Sequence, residues 1–142
     1  MSMKKFWLYL LLLLPLLLAL GLPRLVVRDS GGPVMEVQCP DLVQGCSVPF
    51  RGGELEVGFS PAPVALKPFD LVVRVPGAKQ VAAEFTMQGM NMGPNRYVLQ
   101  RAADGAWHGK IVLPVCVSGA SNWVLLLELD GAQLKIPFVV AK

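Results

Sequence analysis

Hydrophobic and polar residues alternate in many stretches after residue 33, which is the repeat of a β-strand with one buried face. In the stretch ELEVGF, for example, Leu55, Val57 and Phe59 share one face. None of these stretches has the 3.6-residue apolar period of an amphipathic helix. The pattern predicts strands at 34–38, 54–60, 69–75, 80–87, 96–101, 107–115, 122–129 and 133–140.

Turn-forming sequences separate the predicted strands. Asp130-Gly131 predicts a tight hairpin between the last two strands, because both residues tolerate positive φ. Asp104-Gly105 predicts another turn before the strand at 107–115. Short strands at regular spacing, with such turns between them, are typical of an antiparallel sandwich. We therefore predict an all-β, immunoglobulin-like β-sandwich, which is large enough to enclose one hydrophobic core.

The most hydrophobic part of the chain is residues 6–22, which contain no charged residue and follow Lys4 and Lys5. Such a run is either a signal peptide or a single membrane anchor. Its length is at the lower limit for crossing a bilayer. The small-residue cleavage signature after it is weak, which favours an uncleaved anchor.

The anchor divides the chain into three predicted regions. Residues 1–23 form an N-terminal membrane helix or uncleaved signal, residues 24–33 form a tether, and residues 34–142 form an exported domain. The two lysines before the apolar run keep the amino terminus inside, so the chain after the run is exported. In a bacterium, this predicts a single-pass inner-membrane protein with its C-terminal domain in the periplasm.

The exported region is nearly neutral in charge. All 10 acidic residues follow residue 23, and of the 13 basic residues only Lys4 and Lys5 precede it, which leaves a net charge of +1. The basic residues are scattered singly along the chain. Because a nucleic-acid interface needs a basic patch or stripe, nucleic acid is not expected as a partner.

The chain has 3 cysteines, which export would place in an oxidising compartment. Cys39 and Cys46 lie in the short stretch CPDLVQGC, whose proline and glycine help it to turn, and their pairing is the economical one. That pairing leaves Cys116 over. Cys116 is then either a buried small hydrophobic residue or a functional thiol, as a metal ligand or a redox-active group.

The stretch MQGMNMGPN concentrates methionines: Met87, Met90 and Met92 fall within it, among 6 in the whole chain. If the strand before it stays extended, Met87 points into the core, and Gly89 allows the chain to break away. Met90 and Met92 are two residues apart, so they project from the same face. Two thioethers on one face favour Cu(I), although methionine is also a common filler of irregular cores.

His108 is the only histidine. In the stretch AWHGKIVLP, alternation places Trp107, Ile111 and Leu113 on the core side and His108 on the other. The simpler interpretation is therefore a solvated surface histidine. The alternative is a nitrogen ligand that completes a set with Met90 and Met92.

Catalytic patterns are scarce. One histidine is too few for a type I copper site, and no base stands beside a candidate serine nucleophile. The chain has no C-x-x-C motif and no phosphate-binding glycine loop. We therefore expect a protein that is not an enzyme.

The stretches CPDLVQGC, MQGMNMGPNRYVL and GAWHGKIVLPVCVSGASNWVLLLEL resemble, in this order, a group of small membrane-anchored exported proteins of proteobacteria. The resemblance covers most of residues 39–129, and its middle motif is the most specific. More distantly, the chain is similar to FixH-like and YtkA-like domains, β-sandwiches associated with metal handling and respiratory oxidases. Such relatives often lie close to copper-delivery proteins of the Sco type. The resemblance implies a copper-linked accessory role, and Met90, Met92 and Cys116 fall on its shared motifs.

Two functional hypotheses follow. In the first, a membrane-tethered periplasmic protein binds Cu(I) through Met90 and Met92, with His108 or Cys116 as a third ligand. It would assist respiratory oxidase assembly or copper tolerance, with an oxidase or a copper-delivery protein as its partner. In the second, the domain binds no metal, and the methionine stretch is an apolar contact for a membrane-protein partner.

Overall fold

Two five-stranded sheets make up the part of the protein that the computed structural model describes, residues 32–90, 93, 95–115, 119 and 121–140. These residues belong to one compact unit that spans Gly31–Lys142. The strands are β1 (Val34–Glu36), β2 (Cys46–Phe50), β3 (Gly53–Ser60), β4 (Pro68–Arg74), β5 (Val81–Met87), β6 (Arg96–Val98), β7 (Gln100–Arg101), β8 (Trp107–Val112), β9 (Asn122–Leu129) and β10 (Ala132–Val139).

The strand order shows how the chain crosses between the sheets. Sheet A has the order β1-β10-β9-β5-β6, and sheet B has the order β2-β3-β4-β8-β7. Among the described strands, neighbours are antiparallel except β1 and β10, which are parallel. The prediction of an all-β fold with mainly antiparallel sheets is therefore confirmed, and β1 is the exception to it.

Alternate residues of both sheets point inwards and fill one core. The predicted inner face of β3 is confirmed, because Leu55, Val57 and Phe59 are all buried. Phe85 of β5 lies at the centre of an aromatic cluster. The centroid of its ring is 6.0 to 6.5 Å from those of four neighbours, drawn from both sheets: Phe59, Phe69, Tyr97 and Phe138. The arrangement is that of a β-sandwich.

The pattern of the sequence missed one strand and merged two others. β2 was not predicted, because Pro49 interrupts it, but proline is tolerated on an edge strand such as this one. The predicted strand 96–101 is divided at Leu99, so that β6 belongs to sheet A and β7 to sheet B. Leu99 is buried between them.

The hairpin between β9 and β10 is the predicted one. Asp130 and Gly131 have φ angles of 47° and 87°, as a tight two-residue turn requires. The carboxylate of Asp130 accepts hydrogen bonds from the backbone N–H groups of Lys79 and Gln80 at 2.9 to 3.1 Å. The side chain therefore joins this hairpin to the chain that enters β5.

The predicted anchor and tether, residues 1–23 and 24–33, lie almost wholly outside the described residues. Residues 32–140, as far as the structure describes them, include no helix that is long and apolar enough to cross a membrane. The boundaries of the three regions stay predictions.

Candidate functional site

The methionine segment begins where β5 ends. Met87, the last residue of β5, is buried and pairs with Trp123 of β9. The chain then turns: Gly89 has a φ of 79°, and the N–H of Met90 donates to the carbonyl of Met87 at 3.3 Å. Glycine adopts this positive φ without strain. The prediction that Met87 belongs to the core is confirmed.

Met90 is outside the core, with 39% of its surface exposed. A methionine thioether is one of the donors that soft metal ions prefer. Met92 lies outside the described residues. The carbonyl of Asn95 accepts a hydrogen bond from the N–H of Phe85 at 2.9 Å. Both described ends of the segment are thus fixed to β5 by backbone hydrogen bonds.

Asn95 also contributes a buried polar atom. Its side-chain nitrogen Nδ2 is shielded from solvent and has no hydrogen-bond partner among the residues that the structure describes. A buried donor left unpaired costs about 1–3 kcal/mol. Sequence reasoning did not single out Asn95, because asparagine in such a segment is usually a solvated turn residue.

Hydrogen bonds show which other strands begin or finish close to the end of β5. The N–H of Gln88 donates to the carbonyl of Asn122, the first residue of β9, at 3.1 Å. The hydroxyl of Tyr97 in sheet A donates to the carbonyl of Val112, the last residue of β8, at 3.0 Å. We call this end of the sandwich, where β5, β8 and β10 finish and β9 begins, the methionine end.

Cys116 lies outside the described residues, but the chain on both sides of it is described. Val115 follows the end of β8, and Ser121 precedes the start of β9. Because β8 finishes and β9 begins at the methionine end, the connection that contains Cys116 starts and finishes there.

His108 lies near the start of β8, where it pairs with Gln100 of β7. Beside it, the N–H of Leu99 donates to the carbonyl of Val81, the first residue of β5. β5 has 7 residues. At ~3.3 Å per residue, its two ends are about 20 Å apart. The registers therefore do not bring His108 to Met90, which follows the other end of β5.

His108 belongs instead to a charged cluster on the solvent side of sheet B. Its Nε2 is 3.8 Å from a carboxylate oxygen of Asp104, and Arg74 lies 3.4 Å from Asp104 and 3.8 Å from Glu56. A hydrogen bond from the backbone N–H of Ala106, more than the charge of Arg74, holds the pKa of Asp104 below its ordinary value. The predicted solvated surface position is confirmed, since 42% of the His108 side chain is exposed.

Several exposed aliphatic side chains lie at the methionine end. Val112 and Val115 are exposed at and after the end of β8, and Val139 at the end of β10 is 69% exposed. Leu66, before β4, is 65% exposed and has a φ of 61°, which is rare for a bulky residue. Leu66 and Val139 are far in sequence from Val112 and Val115. The strand registers and the hydrogen bond from the N–H of Leu66 to the carbonyl of Leu113 at 2.9 Å place them at one end.

The predicted disulfide between Cys39 and Cys46 is confirmed, with 5.7 Å between the Cα atoms. It closes a loop in which Leu42 is buried, and the carbonyl of Leu42 accepts a hydrogen bond from the N–H of Phe59 at 2.8 Å. Both sulfurs are used by the bond, so neither is available as a thiolate ligand.

Histidine, cysteine, aspartate and glutamate do not form a ready metal site in the described part of the chain, where no three of them are suitably grouped. Methionine is not one of these donor types. A metal site at the methionine end would therefore rest on sulfur donors. Such donors suit Cu(I), which is the ion that the sequence predicts.

Comparison of the chain with protein-family models, with curated proteins and with solved structures found no match. The similarity to FixH-like and YtkA-like domains therefore stays a prediction. No relative assigns a role to the methionine end.

Proposed function

We propose that the protein is a membrane-tethered periplasmic accessory protein, not an enzyme, that binds Cu(I) at the methionine end. The observation that carries the proposal is the contrast between two methionines three residues apart. Met87 is buried in the core, whereas Met90 is exposed after a tight turn. A partly exposed methionine next to the end of a core strand suits a soft monovalent ion, because its thioether is a soft donor.

The proposed ligands are Met90, Met92 and Cys116. Met92 follows Met90 by two residues, and the chain that contains Cys116 connects two strand ends at the methionine end. A thiolate is a softer donor than an imidazole and suits the same ion. His108, the other candidate for a third ligand, is disfavoured because it lies near the opposite end of β5.

The topology supports the immunoglobulin-like part of the proposal. The order β3-β4-β8-β7 matches the strand order A-B-E-D of an immunoglobulin domain, and β10-β9-β5-β6 matches G-F-C-C′. This agrees with the resemblance to FixH-like and YtkA-like β-sandwiches, and with a role beside a respiratory oxidase or a copper-delivery protein. Residues 1–23 would hold the domain at the inner membrane.

The experiment is a titration of the full-length chain in detergent micelles with Ag(I), and with Cu(I) in competition with a chromophoric chelator. We expect one tightly bound ion and little affinity for Zn(II), because thioethers prefer soft monovalent ions. Replacing Met90 and Met92 together by leucine should weaken binding strongly, because two of the three proposed sulfur donors are lost. The substitution keeps the approximate volume, so stability should change by less than about 1.5 kcal/mol.

Met87→Leu is the matched control, because it removes one sulfur from the same segment but from a buried position. It should bind silver as the parent does. If the double variant also binds silver as the parent does, the proposed ligands are wrong.

That last result would favour the second candidate function, a metal-free interaction module for a membrane-protein partner. The observation in its favour is the set of exposed aliphatic residues at the methionine end, Leu66, Val112, Val115 and Val139. Leu66 strengthens this observation. Its positive φ is a strained backbone conformation for a leucine, and exposing its apolar side chain to water does not offset the free energy of that strain.

A further inference from the structure

A groove opens at the end of the sandwich opposite the methionine end. It lies between β1, the edge strand of sheet A, and the hairpin that joins β2 to β3 in sheet B. Its volume is about 380 Å³, which is in the range of small-molecule sites. Its apolar lining includes Pro33, Met35 and Phe50.

The close packing of Gly32 positions one wall of this groove. A Cβ atom at Gly32 would overlap the carbonyl oxygen of Gly131 in the β9–β10 hairpin. Only glycine permits this approach, which brings the start of β1 against the hairpin. Pro33 and Met35 then form the wall on the side of sheet A.

Arg51 stands at the rim and has an unusual backbone conformation. Arg51 and Gly52 form the two-residue turn between β2 and β3, with φ angles of 48° and 77°. Asparagine, aspartate and glycine are the residues that such turns prefer. The guanidinium carbon of Arg51 lies 5.1 Å from the centroid of the Phe50 ring, so the charge is held over an apolar wall of the groove.

Arg51 supplies the positive charge of the groove. Arg51 forms no ion pair with another described residue. The other charged residue there is Asp130, which keeps its negative charge, but its carboxylate oxygens accept hydrogen bonds from the N–H groups of Lys79 and Gln80. An anionic group on a ligand would therefore be attracted to Arg51.

We propose that this groove binds a small carboxylic acid with an apolar body. The apolar body would lie on Pro33, Met35 and Phe50, and the carboxylate would pair with the guanidinium of Arg51. This site is independent of the copper site, because it lies at the opposite end of the sandwich and uses none of its residues.

The experiment uses the full-length chain in detergent micelles with ¹³C-labelled methionine methyl groups. The probe is 3-phenylpropanoate, a water-soluble aromatic acid, and its uncharged analogue is 3-phenylpropanamide. The Met35 methyl signal reports on the groove, and the Met87 signal reports on the distant core. We expect the acid to shift the Met35 signal saturably without moving that of Met87, and the amide to bind about tenfold more weakly.

Arg51→Asn separates recognition from folding, because asparagine accepts the positive φ of this turn. It should weaken binding of the acid about tenfold and leave binding of the amide unchanged. Arg101→Gln is the matched control, because Arg101 is also stacked on an aromatic ring, that of Trp107, at 5.9 Å, but belongs to the opposite edge strand of sheet B.

Three outcomes would overturn the proposal. The first is a Met35 signal that does not respond to the acid, the second is equal affinity for acid and amide, and the third is unchanged binding of the acid by Arg51→Asn. The Met87 signal shows in each case whether the variant is folded.

Discussion

Phe85→Ala is expected to lower the free energy of unfolding by about 3–5 kcal/mol. Phe85 is fully buried, and its ring contacts aromatic rings from both sheets. Removing it deletes buried apolar surface and leaves a cavity that the surrounding strands cannot close without losing their register. Because small domains are stable by only about 5–15 kcal/mol, this is a large part of the total.

The loss would be measured by urea denaturation of the full-length chain, followed by tryptophan fluorescence. Val98→Ala is the control, because Val98 is in β6, the strand next to β5, but is exposed. That control should change stability by less than about 0.5 kcal/mol. A loss of under 1 kcal/mol for Phe85→Ala would mean that the aromatic cluster does not join the two sheets in solution.

The second large effect is expected at the disulfide. Replacing Cys39 and Cys46 together by serine should lower the free energy of unfolding by about 2–3 kcal/mol, because the unfolded chain regains the entropy of a short open loop. The bond closes a separation of 7 residues around the buried Leu42. The loss should therefore appear as a lower urea midpoint, with a somewhat steeper slope because the unfolded chain without the bond exposes more surface.

A reductant supplies the control for this prediction. It should destabilise the parent by a similar amount and leave the double serine variant unaffected. Peptide mapping of Cys116→Ser without reduction should still link Cys39 to Cys46. A peptide that joins Cys116 to either residue in the parent would contradict the observed bond.

Alternation along the chain was sufficient to predict the strands that have one face in the core. β3 follows its predicted face and Met87 of β5 points into the core as predicted, because a period of two residues maps directly onto an extended backbone. The division of residues 96–101 at Leu99 could not be predicted from alternation. The whole segment has the pattern of a single strand, and the strands that pair with β6 and β7 determine that each belongs to a different sheet.

The same limit applies to the candidate site. The alternation of side chains along β5 correctly predicted that Met87 is in the core. The alternation along β8 correctly predicted that His108 is at the surface. The distance between Met90 and His108 depends on where the chain crosses from sheet A to sheet B. No local pattern encodes that crossing. Arg51 was missed for a related reason, since the groove beside it exists only once β1 lies along β10.

The short edge strands of both sheets have a consequence for assembly. β1 and β6, the edges of sheet A, have 3 residues each, and β7 has 2 residues. β2 is longer, but it contains Pro49, which has no N–H to offer to another strand. Edges of this kind resist the strand-to-strand pairing that leads to aggregation. The described edge strands are all short or interrupted, so a protein partner would have to recognise side chains and loops of this part of the chain rather than extend one of its sheets.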